Sequence, residues 1–246
     1  MSTIITSAKL IPASAYIFDI DGTLLNSRDA VHYFAFRAAL REVFAIEDGL
    51  ENVPIHGNTD PGILRAVVER EGKADGFEHQ LPAALALMRS EVERNRAQLD
   101  PELCPAIERL LQDLQQQGKL LGVASGNLES IAGAKLEAAG LRHYFSFGSF
   151  SDSTESRAEI FRHAIASARA LLAAQASLSP ATVCIVGDTP ADILAARANG
   201  VPVIALATGI FSQDQLAAHQ PDLCLSCCSD LFARSDLVRQ APLLQS

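Results

Sequence analysis

Asp19 and Asp21 stand one residue apart in an apolar run, AYIFDI over residues 15–20, that continues as Asp21-Gly22-Thr23. Side chains of a strand alternate between faces, so the two carboxylates point the same way. Gly22 lets the chain turn sharply. In a parallel α/β sheet, ligands gather beyond the carboxyl ends of strands. Two carboxylates side by side there repel unless a cation sits between them or one is protonated. The plainer alternative is a pair of acids capping a loop turned by Gly22.

A second acidic cluster strengthens the chemical reading. The run VGDTPAD, residues 186–192, also follows a strand-like segment. Asp188 sits at the strand end, Pro190 suits a first helical turn, and Asp192 lies one turn further on. If both strands are central and parallel, Asp188 meets Asp19 and Asp21 at one edge. Three carboxylates there make a hard oxygen site suited to Mg2+. The alternative is a helix N-terminus capped by Asp188.

A third strand-like run, LLGVAS, ends at Ser125-Gly126-Asn127 and opens a helix. A hydroxyl and free backbone N–H groups at such a terminus form a phosphate cradle, although an ordinary helix cap fits the same residues. A phosphate site also wants a protein cation. The chain has four lysines, Lys9, Lys73, Lys119 and Lys135. Lys119 falls at the wrong end of its strand, and Lys135 lies two helical turns past Ser125, roughly 10 Å from a ligand at the helix start. Arg157 opens the next helix and is better placed to clamp phosphate through paired hydrogen bonds. A solvated surface charge is its alternative.

These residues need a scaffold, and the pattern supplies one. Four apolar runs (15–20, 120–125, 182–188 and 201–207) alternate with helical stretches, which predicts an α/β fold with a parallel sheet buried on both faces. Helices end at Gly118, Gly140 and Gly200, residues suited to a left-handed terminus. Between residues 27 and 100 no strand-like run occurs. Three helical patterns fill that interval, and Pro101 and Pro105 mark the return to the α/β rhythm. The expected division is a core of residues 1–26 and 101–246 with a helical insertion over 27–100. The hydrophobic fraction of 48% fills a sizeable core.

Composition narrows the function. Twenty Lys and Arg against 29 Asp and Glu give a charge of −9, and no basic stripe interleaves with aromatics, so no nucleic-acid partner is expected. No run approaches the roughly 20 apolar residues of a membrane span, and the opening MSTIITSAKLIPAS does not read as a signal peptide. A cytoplasmic location follows as the expectation, with no membrane partner and with monomer and homodimer both open. Five cysteines include the cluster CLSCC, but no second pair or nearby His completes a zinc site. Neither GxGxxG nor GxxxxGK[ST] occurs.

Together, FDIDGTLLNS, VASGN, the Arg157 segment and VGDTPADILAA resemble the haloacid-dehalogenase-like phosphohydrolases in order and approximate spacing. The likeness covers nearly the whole chain. The insertion resembles that family's helical cap, and its segment HGNTD resembles phosphoglycolate-phosphatase-like members. The resemblance implies a three-layer Rossmann-like core and a Mg2+-dependent phosphatase acting on a small phosphorylated metabolite, phosphoglycolate-like or a sugar phosphate. It implies that Asp19 forms an aspartyl phosphate and that Asp21 protonates the leaving oxygen and then activates water. The metal would be held by Asp19, the Asp21 carbonyl and Asp188, with Asp192 supporting its shell. Ser125 and Gly126 would bind phosphate. The family most often carries lysine where Arg157 stands.

Several rivals are weighed on the same residues. Dehalogenases of this superfamily lack the second aspartate, so Asp21 argues against them. Phosphonatases use a cap lysine, and Lys73 is the only one here. A sugar-phosphate mutase of the β-phosphoglucomutase type keeps the same core residues, and a non-catalytic binding protein on the same fold predicts the loss of a carboxylate that is present. In the cap, Gly57, Thr59 and Asp60 of HGNTD are the candidates for substrate contact. A helix-capping role for Thr59 and Asp60 is the alternative, and His32 and His56 are as compatible with a structural role.

Overall fold

In the computed structural model, which describes residues 9–174 and 181–232, the chain runs through eight strands and eight α-helices. They are β1 (Ala15–Phe18), β2 (Leu25–Ser27), α1 (Val31–Phe44), α2 (Asp60–Arg70), α3 (Phe77–Arg94), β3 (Pro101–Leu103), α4 (Ile107–Gln116) and β4 (Leu120–Ala124). After them come α5 (Glu129–Ala138), β5 (Phe147–Ser149), α6 (Arg157–Ala174), β6 (Val183–Gly187), α7 (Pro190–Ala198), β7 (Val203–Leu206), α8 (Gln213–Ala217) and β8 (Leu223–Leu225). Residues 1–8, which include the start of the segment that does not read as a signal peptide, lie outside the described residues, as does Gln175, which ends the helical pattern AEIFRHAIASARALLAAQ.

Six strands form one parallel sheet in the order β5-β4-β1-β6-β7-β8. Alternation along β1 divides the apolar side chains between two layers. Tyr16 and Phe18 pack with Ile107, Leu110, Leu111 and Leu114 of α4 on one face. Ala15 and Ile17 pack with Ile160, Phe161 and Ile165 of α6 on the other. Phe161 has no exposed surface, and truncating such a residue to alanine costs ~3–5 kcal/mol. The fold is the three-layer α/β architecture expected.

The insertion is helical, with its own buried cluster from α1, α2 and α3, including Phe36, Leu40, Leu64, Val67 and Met88. That cluster takes in Leu128, Ile131 and Ala134, so α5 packs against both the sheet and the insertion. Where the chain enters and leaves, β2 and β3 pair antiparallel, Leu25 against Leu103 and Ser27 against Pro101. Sequence patterning missed this pair, and β5 and β8 as well, because three residues carry no readable period. The helical pattern LPAALALMRSEVERNRAQ predicts a third cap helix from Leu81. The helix starts at Phe77, whose ring stacks on Phe44 at 5.6 Å, and it runs through Pro82. Tertiary packing outweighs the missing N–H here. Gly118, Gly140 and Gly200 follow their helices at φ +69, +71 and +63°, as their positions suggested. Among the described residues, no helix is long and apolar enough to cross a membrane.

Candidate active site

The sheet order makes β1 the neighbour of both β4 and β6. Phe18 is in register with Val123 on one side and Val186 on the other, so the residues that follow leave the sheet at one level. Asp19 is just beyond β1, its N–H donating to the Val186 carbonyl at 2.9 Å. One cavity of ≈390 Å³ is lined by Asp19, Asp21, Ser125, Gly126, Arg157 and Asp188. Gly57 and Asp60 also reach its wall, while Thr59 and Asp192 do not.

The carboxylates of Asp19, Asp188 and Asp192 each offer an oxygen within 4.8 Å of the others, and all three side chains are buried. Gly22 is at φ +85°, and a Cβ there, or at Gly209, would collide with the Asp188 carboxylate. Two backbone segments thus close on Asp188 where no side chain fits. Thr23 Oγ1 donates to Asp188 at 2.9 Å. Arg157 lies 2.9 Å from Asp19 Oδ2 and donates twice to Asp192 Oδ1, at 2.9 and 2.6 Å. The other Asp192 oxygen caps α7, accepting from the N–H and hydroxyl of Thr189 at 2.9 and 2.7 Å. The N-cap of α7 is therefore Thr189, and the reading of Asp188 as a cap falls away.

Burial raises the Asp19 pKa to about 7; Arg157 opposes this and the charges of Asp192 and Asp21 add to it. Asp188 is pushed well above the usual carboxylate range by burial and by the charges of Asp19 and Asp192. Arg157 is buried too, yet the charges of Asp19 and Asp192 and its hydrogen bonds to Asp192 hold it firmly protonated. Asp21 behaves oppositely. Burial pushes its pKa up, but Lys135 and Asn127 outweigh that and hold it below the ordinary value. Lys135 Nζ donates to both Asp21 oxygens at 2.8 Å, and Asn127 Nδ2 donates at 2.7 Å.

Lys135 is thus part of the site, contrary to the distance argument that set it aside. Helix α5 begins only at Glu129, and helical side chains slant toward the N-terminus, so a long lysine recovers about a turn of distance. Its position four residues after Ile131, on the inward stripe of α5, is the sequence signal for this placement. Asn127, beside Ser125 and Gly126 in the same loop, holds Asp21 as well, a role that the spacing does not show. Lys73, weighed as a phosphonatase lysine, donates to the carbonyls of Phe44 and Ala45 at 3.1 and 2.6 Å and does not line the cavity.

The cradle at the start of α5 is narrower than expected. The N–H of Leu128 is taken by Asp60 Oδ2 at 2.9 Å and that of Glu129 by Asp152 Oδ2 at 2.7 Å. Ser125 Oγ accepts from Asn127. Among the described residues, no acceptor takes the Gly126 N–H. The HGNTD segment lies against this loop: Asp60 N donates to the Gly126 carbonyl at 2.7 Å, and a Cβ on Gly126 would strike the Asn58 backbone. Gly57, at φ +79°, leaves only 3.0 Å between an added Cβ and Thr189 Oγ1. Thr59 caps α2 by accepting from Gly62 at 3.2 Å. Asp60, by contrast, bridges cap to core, with His32 Nε2 at 3.3 Å.

The donor set suits a hard divalent cation. The clustered carboxylates are Asp19, Asp188 and Asp192, with Arg157 among them, whereas the Asp21 carboxylate, expected in this trio, is held by Lys135 and Asn127. Burial and mutual repulsion raise Asp19 and Asp188, a cost that a bound ion relieves.

Comparison with known proteins agrees with this geometry. Residues 16–206 match the sequence profile described as haloacid dehalogenase-like hydrolase. The chain is 29% identical to phosphoglycolate phosphatase of Synechococcus elongatus, over 92% of this chain and 99% of that protein. It is also 29% identical to fructose-1-phosphate phosphatase YqaB of Escherichia coli, over 76% of this chain and 93% of that protein. The crystal structure of β-phosphoglucomutase from Clostridium difficile shares the fold, with a TM-score of 0.61 at 18% identity, over 93% of this chain and 96% of that one. The chain belongs to the haloacid dehalogenase-like hydrolase family.

Proposed function

We propose that this protein, a phosphoric monoester hydrolase, releases phosphate from a small phosphorylated metabolite through a covalent phosphoryl group on Asp19. The observation that carries the reading is the convergence of Asp19, Asp188 and Arg157 at one sheet edge, with Asp21 in the same cavity. The substrate phosphate would lie between Arg157, the Ser125 hydroxyl and the Gly126 N–H. An Asp19 oxygen attacks phosphorus, and the bond from phosphorus to the leaving oxygen breaks as Asp21 delivers its proton to that oxygen. Asp21, now a carboxylate, takes a proton from water. The water oxygen then attacks phosphorus, breaking its bond to Asp19 and yielding inorganic phosphate. Without substrate, Lys135 and Asn127 hold the Asp21 pKa below its ordinary value; a bound phosphoryl group that drew on Lys135 would raise it, and Asp21 would take up a proton from solvent before the transfer. Mg2+, held by Asp19, Asp188 and the Asp21 carbonyl, would supply neutralisation of phosphoryl charge. Asp192 would position Arg157 and, through it, Asp19.

The cap wall sets which metabolite enters, with phosphoglycolate-like and sugar phosphates as the two classes that the relatives suggest. The test is a screen of phosphorylated metabolites with Mg2+, run beside Asp19→Asn. Substitution is expected to lower phosphate release by about four orders of magnitude or more. Release that survives in Asp19→Asn removes the covalent route. Interconversion of two sugar phosphates without net release identifies a mutase instead.

A further inference from the structure

The cap side of the cavity holds no lysine or arginine; its basic residues are two histidines, His32, whose Nε2 lies 3.3 Å from Asp60, and His56. Among the described residues, Lys135 and Arg157 are the only lysine or arginine on its wall, and both belong to the core side. Both are committed, at 2.8 and 2.9 Å, to Asp21 and Asp19. Every arginine between residues 28 and 96 pairs with a carboxylate away from the cavity, as in Arg37 with Asp48 or Arg65 with Glu78 and Glu155. The acids on this wall are Asp29, which is half-buried, and Asp60, which is buried against the Leu128 N–H.

Beside the polar Asn26, Ser27, His56 and Asn58, the outer cavity carries an apolar set. Tyr33 and Phe36 come from α1, Ile55 from the loop before His56, Ile63 from α2 and Ile210 from the core side. Tyr33, Ile55 and Ile210 are 39%, 36% and 60% exposed, an apolar rim at the mouth of a polar site. Such a rim marks a surface meant to be covered by a ligand.

We infer that the ester accepted here has an uncharged leaving group with a ring or apolar face, and not one carrying a second anion. This rests on the phosphatase reading above. A carboxylate on the leaving group would lie beside Asp29 and Asp60 with no lysine or arginine in reach beyond the two that hold Asp21 and Asp19, and with His32 already against Asp60. An uncharged group, a carbohydrate ring included, can lay its carbon face against Tyr33 and Ile55 while its phosphate lies at Asp19.

Three esters that share the phosphate–O–CH2 unit separate these cases: phosphoglycolate, isobutyl phosphate and benzyl phosphate. With saturating Mg2+, kcat/KM from phosphate release is expected to be at least about tenfold higher for the two uncharged esters than for phosphoglycolate, the scale on which apolar pockets discriminate. Ile55→Arg, which places a cation on the wall, is expected to shift the ratio toward phosphoglycolate by at least about tenfold, while Ile55→Gln leaves it in place. A wild-type preference for phosphoglycolate, or a ratio unmoved by Ile55→Arg, overturns the inference and leaves the phosphatase reading intact. Absence of phosphate release from all three and from p-nitrophenyl phosphate overturns the phosphatase reading, and the inference with it.

Discussion

The two walls of the cleft are built from opposite materials. On the core wall, carboxylates meet charge or a hydroxyl donor: Asp21 with Lys135, Asp19 and Asp192 with Arg157, Asp188 with the Thr23 hydroxyl. These groups are fixed by strand ends and backed by buried layers on both faces of the sheet. On the cap wall, the arginines turn outward into surface pairs, and the cavity receives aromatic and aliphatic side chains from α1, α2 and the loop between them. On the function proposed above, the reaction belongs to one wall and the choice of substrate to the other. Substitutions on the core wall should change the rate for every substrate; those on the cap wall should change which substrate is preferred.

The largest effect that sharpens this contrast is expected from Arg157→Met. It removes the cation nearest Asp19 and one partner of Asp192. Loss of a charge-stabilising donor of this kind lowers kcat/KM by about 10²–10³, and the loss should be uniform across a substrate panel. Unequal losses between substrates would break the division of labour between the walls.

Lys135→Met is expected to act next most strongly, on protonation. An opposite charge in contact lowers a carboxylate pKa by roughly 1–3 units, so removing Lys135 should raise the Asp21 midpoint by that order. Carbon-13 titration of the Asp21 carboxylate measures it. A midpoint that does not move means that Lys135 does not govern Asp21.

The pH dependence of stability has a definite sign. The Asp19 pKa is raised to about 7 from an ordinary 3.8, and Asp188 is raised as well. Between these limits the unfolded chain binds fewer protons than the folded one, so this contribution makes metal-free protein less stable as pH climbs from about 4 to about 7. Saturating Mg2+ should weaken or reverse the trend, because it binds the ionised carboxylates. Thermal melts across that range, with and without Mg2+, test this; an unchanged slope would remove the ion from the core wall.

The smallest effect belongs to the join between the walls. Arg65, from α2, donates to both oxygens of Glu155 at 2.8 and 2.7 Å, and both side chains are about one-third exposed. Such a pair contributes at most ~1 kcal/mol. We propose that the cap opens to admit substrate and closes to exclude water. On that proposal Glu155→Gln should raise KM a few-fold, leave kcat nearly unchanged and speed hydrogen exchange in α2. Exchange identical in free and phosphate-analogue-bound protein would count against cap motion.

Much of the core wall was legible in the sequence because it depends on few rules. A parallel sheet places strand ends together, so Asp19, Asp21, Ser125 and Asp188 could be grouped before any coordinates. Lys135 was lost because distance was counted along the backbone, when the slant and length of its side chain decide where the charge sits. The contacts of Asp60 with Leu128 and Gly126 join segments more than 60 residues apart. No local pattern encodes such a meeting. The strands β2, β3, β5 and β8 were too short for their alternation to show. In the cap, helical periodicity identified three helices, but not which side chains of α1 reach the cavity.

The central claim, that Asp19 carries the phosphoryl group, is open to one direct measurement. Protein mixed with a hydrolysed substrate and Mg2+, quenched in acid within a single turnover and digested, should show a phosphoryl adduct on the peptide containing Asp19. The adduct should form and decay in step with phosphate release. Release that proceeds at the full rate with no adduct on that peptide at any time would contradict the account.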